Sequence, residues 1–280
     1  MKKLFYSIFV LGGLLCSACT QDTQDEQAGE AKLIVDLGAD LSFSGTSAGT
    51  AANGTAKRLI DESAYTNIGN YTVTLTKTSD NTVVHQALYD EWNLAYMVEP
   101  NTEYKLTATY GTESPASYDN LLVSGSETFT VQPGATKMVS FRCVPKAAKV
   151  NVIYSDDFAT YYSDCEVSIK TKHITGDAWM MNKECVGKDL YLKADEEGEP
   201  VTLTFNLLDK NGASIIPEGF TTTKTVTVMP KTLLKLTFKP NVTEIEGGKV
   251  GLNITVDTGV QDENINIEIP NDVFTKTTSL

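Results

Sequence analysis

The chain has 280 residues, with 23 Lys and Arg against 36 Asp and Glu, a formal charge of −13 with both histidines neutral. That balance excludes the basic patches by which proteins grip nucleic acid or anionic lipid headgroups. The length suits one large or two ordinary domains. At the N-terminus Lys2 and Lys3 precede an apolar run from Leu4 to Leu15, which ends in Ser17-Ala18-Cys19. Charged start, short apolar middle and small residues before a cleavage point are the layout of a secretory signal. The apolar run is too short for a bilayer, which takes about 20 residues as a helix.

Cys19 directly after Ser-Ala resembles the lipobox of bacterial lipoproteins, whose cysteine becomes the lipidated first residue; here Cys16 stands where Leu is usual. Residues 1–18 are therefore expected to be a lipoprotein signal peptide, with lipid attachment at Cys19. Removing 18 of 280 residues leaves 262, and loss of Lys2 and Lys3 takes the charge from −13 to −15. Residues 19–30 (CTQDTQDEQAGE) hold no large apolar side chain for a core and read as a solvated acidic tether. Acidic residues behind the cysteine resemble the signal that exports Bacteroidota lipoproteins to the outer face of the outer membrane.

Beyond the tether the text is β throughout. Lys32–Asp36 (KLIVD) is a short aliphatic strand, and Gly38–Thr55, rich in Gly, Ala, Ser and Thr, reads as a long surface loop. In Tyr71–Lys77 (YTVTLTK) apolar residues alternate with threonines, the period-2 signature of a half-buried strand. A turn at Ser79-Asp80-Asn81 leads to a partner at Thr82–His85. Further strands are expected at Trp92–Val98 and Glu103–Gly111, with Leu121-Leu122-Val123 folding back as a lid. Glu127–Phe141 reads as two strands around Pro133-Gly134. Later strands fall at Lys149–Tyr154 and Ile265–Ile269. No window longer than a turn carries a 3.6-residue apolar period.

The second half repeats the first. Glu127–Cys143 aligns with Lys224–Pro240 at a constant offset of 97, placing Pro133 on Pro230 and Phe141 on Phe238. Tyr71-Thr-Val-Thr-Leu corresponds to Cys165-Glu-Val-Ser-Ile169, and Tyr104-Lys-Leu-Thr-Ala to Val201-Thr-Leu-Thr-Phe205. Two copies of one strand order predict two tandem immunoglobulin-like or transthyretin-like β-sandwiches, over 31–145 and 146–280. The join falls near Val144-Pro145-Lys146.

Three features then resemble one family: YTVTLTK followed by EYKLTATYG, the hairpin GSETFTVQPGATKMVSF, and CVPKAAKVNV crossing into a second domain that opens with CEVSIKT. They look like the DUF4493 lipoproteins of Bacteroides and its relatives, over nearly the whole mature chain. That family is similar in domain plan to fimbrillin-type anchor and tip proteins. The resemblance implies a lipid-anchored protein of the cell exterior and brings no catalytic residue.

Motifs for chemistry are missing. G-x-S-x-G, H-E-x-x-H, a phosphate-binding glycine loop and Cys-x-x-Cys do not occur. His85 and His173 fall in different halves, and the spacings of 22 and 20 residues among Cys143, Cys165 and Cys185 match no metal motif. In an exported protein Cys165 and Cys185 are the nearest candidates for a disulfide, with small buried hydrophobes as the alternative reading. Asp195–Glu199 lacks the ligand spacing of a calcium loop and reads as a solvated turn. No cofactor or metal is expected. Aromatic residues are the remaining lead. Trp92, Tyr96, Tyr104, Tyr110 and Tyr118 read mainly as core, while Tyr161, Tyr162 and Trp179 flank turns and are the candidate binding surface. The expectation is a non-catalytic, lipid-anchored structural or adhesion protein of the cell surface, fimbria-associated on one reading. Its partners would be fimbrial subunits, host proteins or glycans. The alternative is a glycan-binding lipoprotein of a polysaccharide-uptake system.

Overall fold

The computed structural model describes residues 29–44, 60–92, 95–216, 222–242, 250–257 and 262–267. The signal peptide, Cys19, most of the tether and the tail from 268 lie outside the described residues. Alternation of apolar and polar residues builds the strands as the pattern dictates. In the first half these are β1 (Ala31–Ala39), β2 (Thr72–Lys77), β3 (Val83–Leu88), β4 (Tyr96–Val98), β5 (Glu103–Gly111), β6 (Ala116–Ser117), β7 (Leu122–Thr130) and β8 (Thr136–Pro145). The second half adds β9 (Ala147–Tyr154), β10 (Asp164–Lys170), β11 (Trp179–Met181), β12 (Leu190–Lys193), β13 (Glu199–Leu208), β14 (Thr223–Val228), β15 (Leu233–Val242), β16 (Val250–Asp257) and β17 (Asp262–Ile267). One α-helical turn, α1 (Phe158–Tyr161), lies between β9 and β10. Val73 and Leu75 of β2, Leu106 and Ala108 of β5, and Val201, Leu203 and Leu207 of β13 are all fully buried. Each such Val or Leu side chain stabilises the fold by about 1.5–3 kcal/mol relative to exposure.

Both halves are β-sandwiches of one plan. In the first, the ladder runs β3-β2-β5-β7-β8-β1-β4. β7 meets β8 only through Val123–Pro145 and Ser124–Val144, so the ladder folds over there. One core takes Val73, Leu106 and Phe129 from one side of that fold and Leu33, Leu37 and Val139 from the other. The second half repeats this as β11-β10-β13-β14 facing β15-β9-β12. In each half the first strand pairs parallel to the last strand of the shared plan, β1 with β8 and β9 with β15. β8 spans Thr136–Pro145 and β15 spans Leu233–Val242, so the 97-residue offset holds at both ends. The halves differ at their edges. The hairpin β16–β17 extends β15, and β6 from the first half adds antiparallel to β12 of the second.

Four expectations are corrected. Trp92 does not begin a strand. Tyr89–Glu91 forms a 3₁₀ turn, the Trp92 N–H bonds the Tyr89 carbonyl at 3.1 Å, and β4 starts only at Tyr96. The turn is pinned because the Tyr89 hydroxyl donates to the Val35 carbonyl at 3.2 Å. Leu121-Leu122-Val123 is no lid: Leu121 and Val123 are buried, and β7 is a central strand paired along β5. Two strands flank Pro133-Gly134 as expected, but they form no hairpin at the turn: β7 and β8 pair at Val123–Pro145 and Ser124–Val144, far from it. The fourth is the start of the Gly/Ser/Thr stretch expected as a loop over Gly38–Thr55, of which the part from 45 lies outside the described residues. β1 itself continues through Gly38 to Ala39, Phe43 is 4% exposed, and Ser44 bridges to Thr232 of the other half. Among the described residues no helix is long and apolar enough to cross a membrane.

Candidate functional site

Of the expected aromatic surface, Tyr162 is a core residue, 2% exposed, with its ring 5.5 Å from Phe158; burial raises its hydroxyl pKa. Tyr161 beside it is half-buried. Trp179 is half-buried too and meets Tyr118 edge-on at 5.4 Å. The two groups do not share a surface. Trp179 pairs with Ile169 at the far end of β10, while the tyrosines precede its start, roughly 23 Å away at about 3.3 Å per residue. Tyr118 comes from the first half, and its hydroxyl donates to Cys185 Sγ at 3.2 Å, so the Tyr118–Trp179 pair is a contact between the halves. Tyr104 lies on Phe129 in the first core. The aromatic group with an open edge is His85, Trp92 and Tyr96. The imidazole stacks on Tyr96 at 4.5 Å and 16°, with Trp92 tilted against both. His85 and Tyr96 are half-buried; Trp92 is buried, and its Nε1–H has no acceptor among the described residues.

The join between the halves is a second constellation that strand periodicity did not reveal. Lys149 sits in the apolar run of β9 and is 7% exposed. Its ammonium pairs with Glu62, lies 3.3 Å from Asp189 Oδ2, and stands 4.4 Å from the centre of the Phe43 ring. The Tyr191 hydroxyl donates to the same Glu62 carboxylate, and the Asn151 amide donates to Asp189. Glu62 and Phe43 belong to the first half, the other residues to the second. Nearby, Lys231 pairs with Asp40 at 2.7 Å, the Ser44 N–H donates to the Lys231 carbonyl at 2.7 Å, and the Leu233 N–H donates to the Ser44 carbonyl at 3.1 Å. Lys231 and Ser42 hold the Asp40 carboxyl well below the usual carboxylate range. The signal was present in the text: a lysine within AAKVNVIY demands a buried partner, although nothing local names it. A crevice beside this seam, lined by Glu113, Ser114, Lys146 and Lys193 among others, admits about one water molecule.

The remaining chemistry-bearing groups are spread out. Cys143, Cys165 and Cys185 are all buried free thiols, so Cys165 and Cys185 are not joined. Burial pushes the Cys143 thiol up to about 12 and raises Cys165 as well, the reverse of what activates a nucleophile. The turn after β12 is more than a solvated one. His173, Asp195 and Glu199 bring three possible metal-ligand atoms within 4.8 Å of one another, and Glu199 is fully buried.

A family model described as a domain of unknown function, DUF4493, matches residues 40–271. A comparison with curated proteins gives no match. Among solved structures, a candidate cell adhesion protein from Bacteroides eggerthii is similar at 11% identity, covering 86% of this chain and 96% of that one, with a TM-score of 0.42. The tip fimbrial protein Mfa3 from Porphyromonas gingivalis is similar at 11% identity, over 86% and 100% of the two chains, with a TM-score of 0.41. A candidate polysaccharide-binding protein (DUF1812) from Bacteroides thetaiotaomicron gives 9% identity, 85% and 98% coverage and a TM-score of 0.38.

Proposed function

This chain belongs to the DUF4493 family, and from that premise we propose that it is a non-catalytic structural or adhesion protein of the cell surface, held at the outer membrane by lipid on Cys19. The seam carries the reading. An enzyme built from two domains commonly places its cleft where they meet. Here that place is filled by Lys149, Glu62, Phe43 and Tyr191, and the crevice beside it is too small for a sugar ring. Two sandwiches tied by β6–β12 pairing and ion pairs form a stiff body behind an acidic tether, suited to presenting a surface at a distance.

Replacing Cys19 with Ala in the producing cell tests the anchor. The chain should leave the membrane fraction, and protease added to intact wild-type cells should remove it. A Cys19→Ala chain that stays with membranes, or a wild-type chain that survives protease on intact cells, overturns the placement. Cross-linking on intact cells followed by mass spectrometry would name the partner among fimbrial subunits and host proteins.

Glycan binding is the second reading, favoured by the partly exposed His85–Tyr96 pair, stacked at 4.5 Å and 16°, with the Trp92 indole tilted against both rings. It predicts binding on a glycan array that Tyr96→Ala abolishes. A blank array with wild-type protein removes it.

A further inference from the structure

The turn between β12 and β13 is closed by the Gly198 N–H on the Asp195 carbonyl at 3.0 Å, with Gly198 at φ +107°. It brings Asp195 and Glu199 against the loop that leaves β10, where Lys172 and His173 stand. Glu199 opens β13 and is 0% exposed. Its Oε1 accepts the Lys172 backbone N–H at 3.0 Å, which fixes the direction of the carboxylate. Its Oε2 is buried and receives no hydrogen bond. The Lys172 ammonium at 3.2 Å and His173 Nε2 at 3.3 Å approach that oxygen without hydrogen-bonding geometry. His173 Nε2 is also 3.1 Å from Asp195 Oδ1, while Asp195 Oδ2 pairs with Lys172.

A buried carboxylate oxygen that receives no hydrogen bond is costly, and the cation nearest to it, the Lys172 ammonium, is carried on a largely exposed side chain. Two ligands on a zinc ion at about 2.0–2.2 Å stand roughly 2.8–3.6 Å apart, from octahedral to tetrahedral angles. The separations of 3.1 and 3.3 Å around His173 Nε2 fall in that range, and the three ligand atoms together lie within 4.8 Å, which a turn of the partly exposed Asp195 side chain closes onto one ion. A backbone amide orienting the far oxygen of a ligating carboxylate is the usual outer support of such a site. The imidazole argues against calcium, which takes six to eight oxygens.

We propose that His173, Asp195 and Glu199 form a three-ligand site for a divalent transition metal, zinc foremost, in which the metal displaces the Lys172 ammonium. Lys172 is a weak occupant: its side chain is 56% exposed and can swing into solvent, whereas Glu199 cannot. Bound metal would staple the β10–β11 loop to the β12–β13 turn. It would leave one coordination position facing outward for water or for a side chain of a partner.

The test uses untagged full chain stripped with EDTA and titrated with Zn²⁺, Co²⁺ and Ca²⁺. One equivalent of zinc should bind and raise the melting temperature, and cobalt should give the intense visible bands of a low-symmetry site. Calcium should do neither. His173→Ala, at a partly exposed position that tolerates truncation, should weaken zinc binding at least about tenfold. Glu199→Gln should do the same if it folds. Lys172→Met should tighten zinc binding, because the competing cation is gone. Absence of zinc binding to the wild-type chain at zinc concentrations up to about 0.1 mM overturns the proposal. So does binding unchanged by His173→Ala, or Lys172→Met binding zinc no better than wild type; these leave an ion-pair cluster only.

Discussion

Lys149→Met isolates the charge at the seam between the two sandwiches. The methionine keeps most of the apolar stem, so packing is largely preserved while the ammonium is lost. Two carboxylates then face each other in a site where Glu62 and Asp189 retain only 18% and 14% side-chain exposure. Breaking a buried pair by removing one partner costs about 3–5 kcal/mol, and the water that still reaches these carboxylates lowers the figure to roughly 2–4 kcal/mol. Loss of the ammonium from the Phe43 ring, 4.4 Å away, accounts for about 0.5–1 kcal/mol of that. At about 2–4 °C per kcal/mol for a chain of this size, the melting temperature should fall by roughly 5–15 °C. Calorimetry or urea unfolding followed by tryptophan fluorescence reads the change. The triple variant Lys149→Met, Glu62→Gln, Asp189→Asn should recover at least half of the loss, since the cost lies in two neighbouring carboxylates that have lost their shared counter-charge. A single variant within about 0.5 kcal/mol of wild type, the usual range of a surface change, refutes the argument. So does a triple variant no more stable than the single one.

Three further outcomes follow from individual residues. The Asp40 carboxyl is held below its unfolded value of about 3.9 by Lys231 first and then by Ser42, so its contribution is full above that pH and lost as the pH falls through the lower folded value. Asp40→Asn should therefore melt below wild type at neutral pH, with the gap closing towards pH 2; a gap that is constant with pH would be inconsistent with the pairing. In the folded chain, iodoacetamide should leave Cys143, Cys165 and Cys185 unlabelled, and after denaturation without reductant it should label all three, as peptide mass spectrometry can show. A Cys165–Cys185 disulfide peptide would contradict this. Gly111 has φ +87°, and a Cβ there would lie 2.0 Å from the Leu121 carbonyl oxygen. Gly111→Ala should cost at least about 2 kcal/mol, measured by chemical denaturation, and a neutral result would mean that the β5–β6 corner is not held as described.

Much of the fold was readable from the text because strand burial is a local property. Val73 and Leu75 alternate with threonines in the chain and therefore alternate between core and surface in the sheet. The 97-residue offset carries that argument to the second half, and it fails only at the edges, where β6 and the β16–β17 hairpin have no counterpart. Local pattern misled where a tertiary contact overrode it. Trp92 has strand-like neighbours, but the Tyr89 hydroxyl tied to Val35 turns the chain first. Phe43 lies in text of loop composition, yet Lys149 and Tyr191 give it a place in the interior.

The candidate sites were legible only in part. His173 and Asp195–Glu199 stand out as residue types, but 22 positions separate His173 from Asp195, and only the packing of the β12–β13 turn on the β10–β11 loop joins them. Tyr161-Tyr162 reads as one exposed pair in sequence, while α1 turns the second ring into the core. By itself the sequence determined the all-β plan and its duplication, since each is written in residues close together along the chain. Only the tertiary structure decided that the two sandwiches are welded at Lys149 and that a histidine and two carboxylates meet at Glu199. Those contacts join residues far apart in the chain, and burial gives them an energy that no local periodicity records.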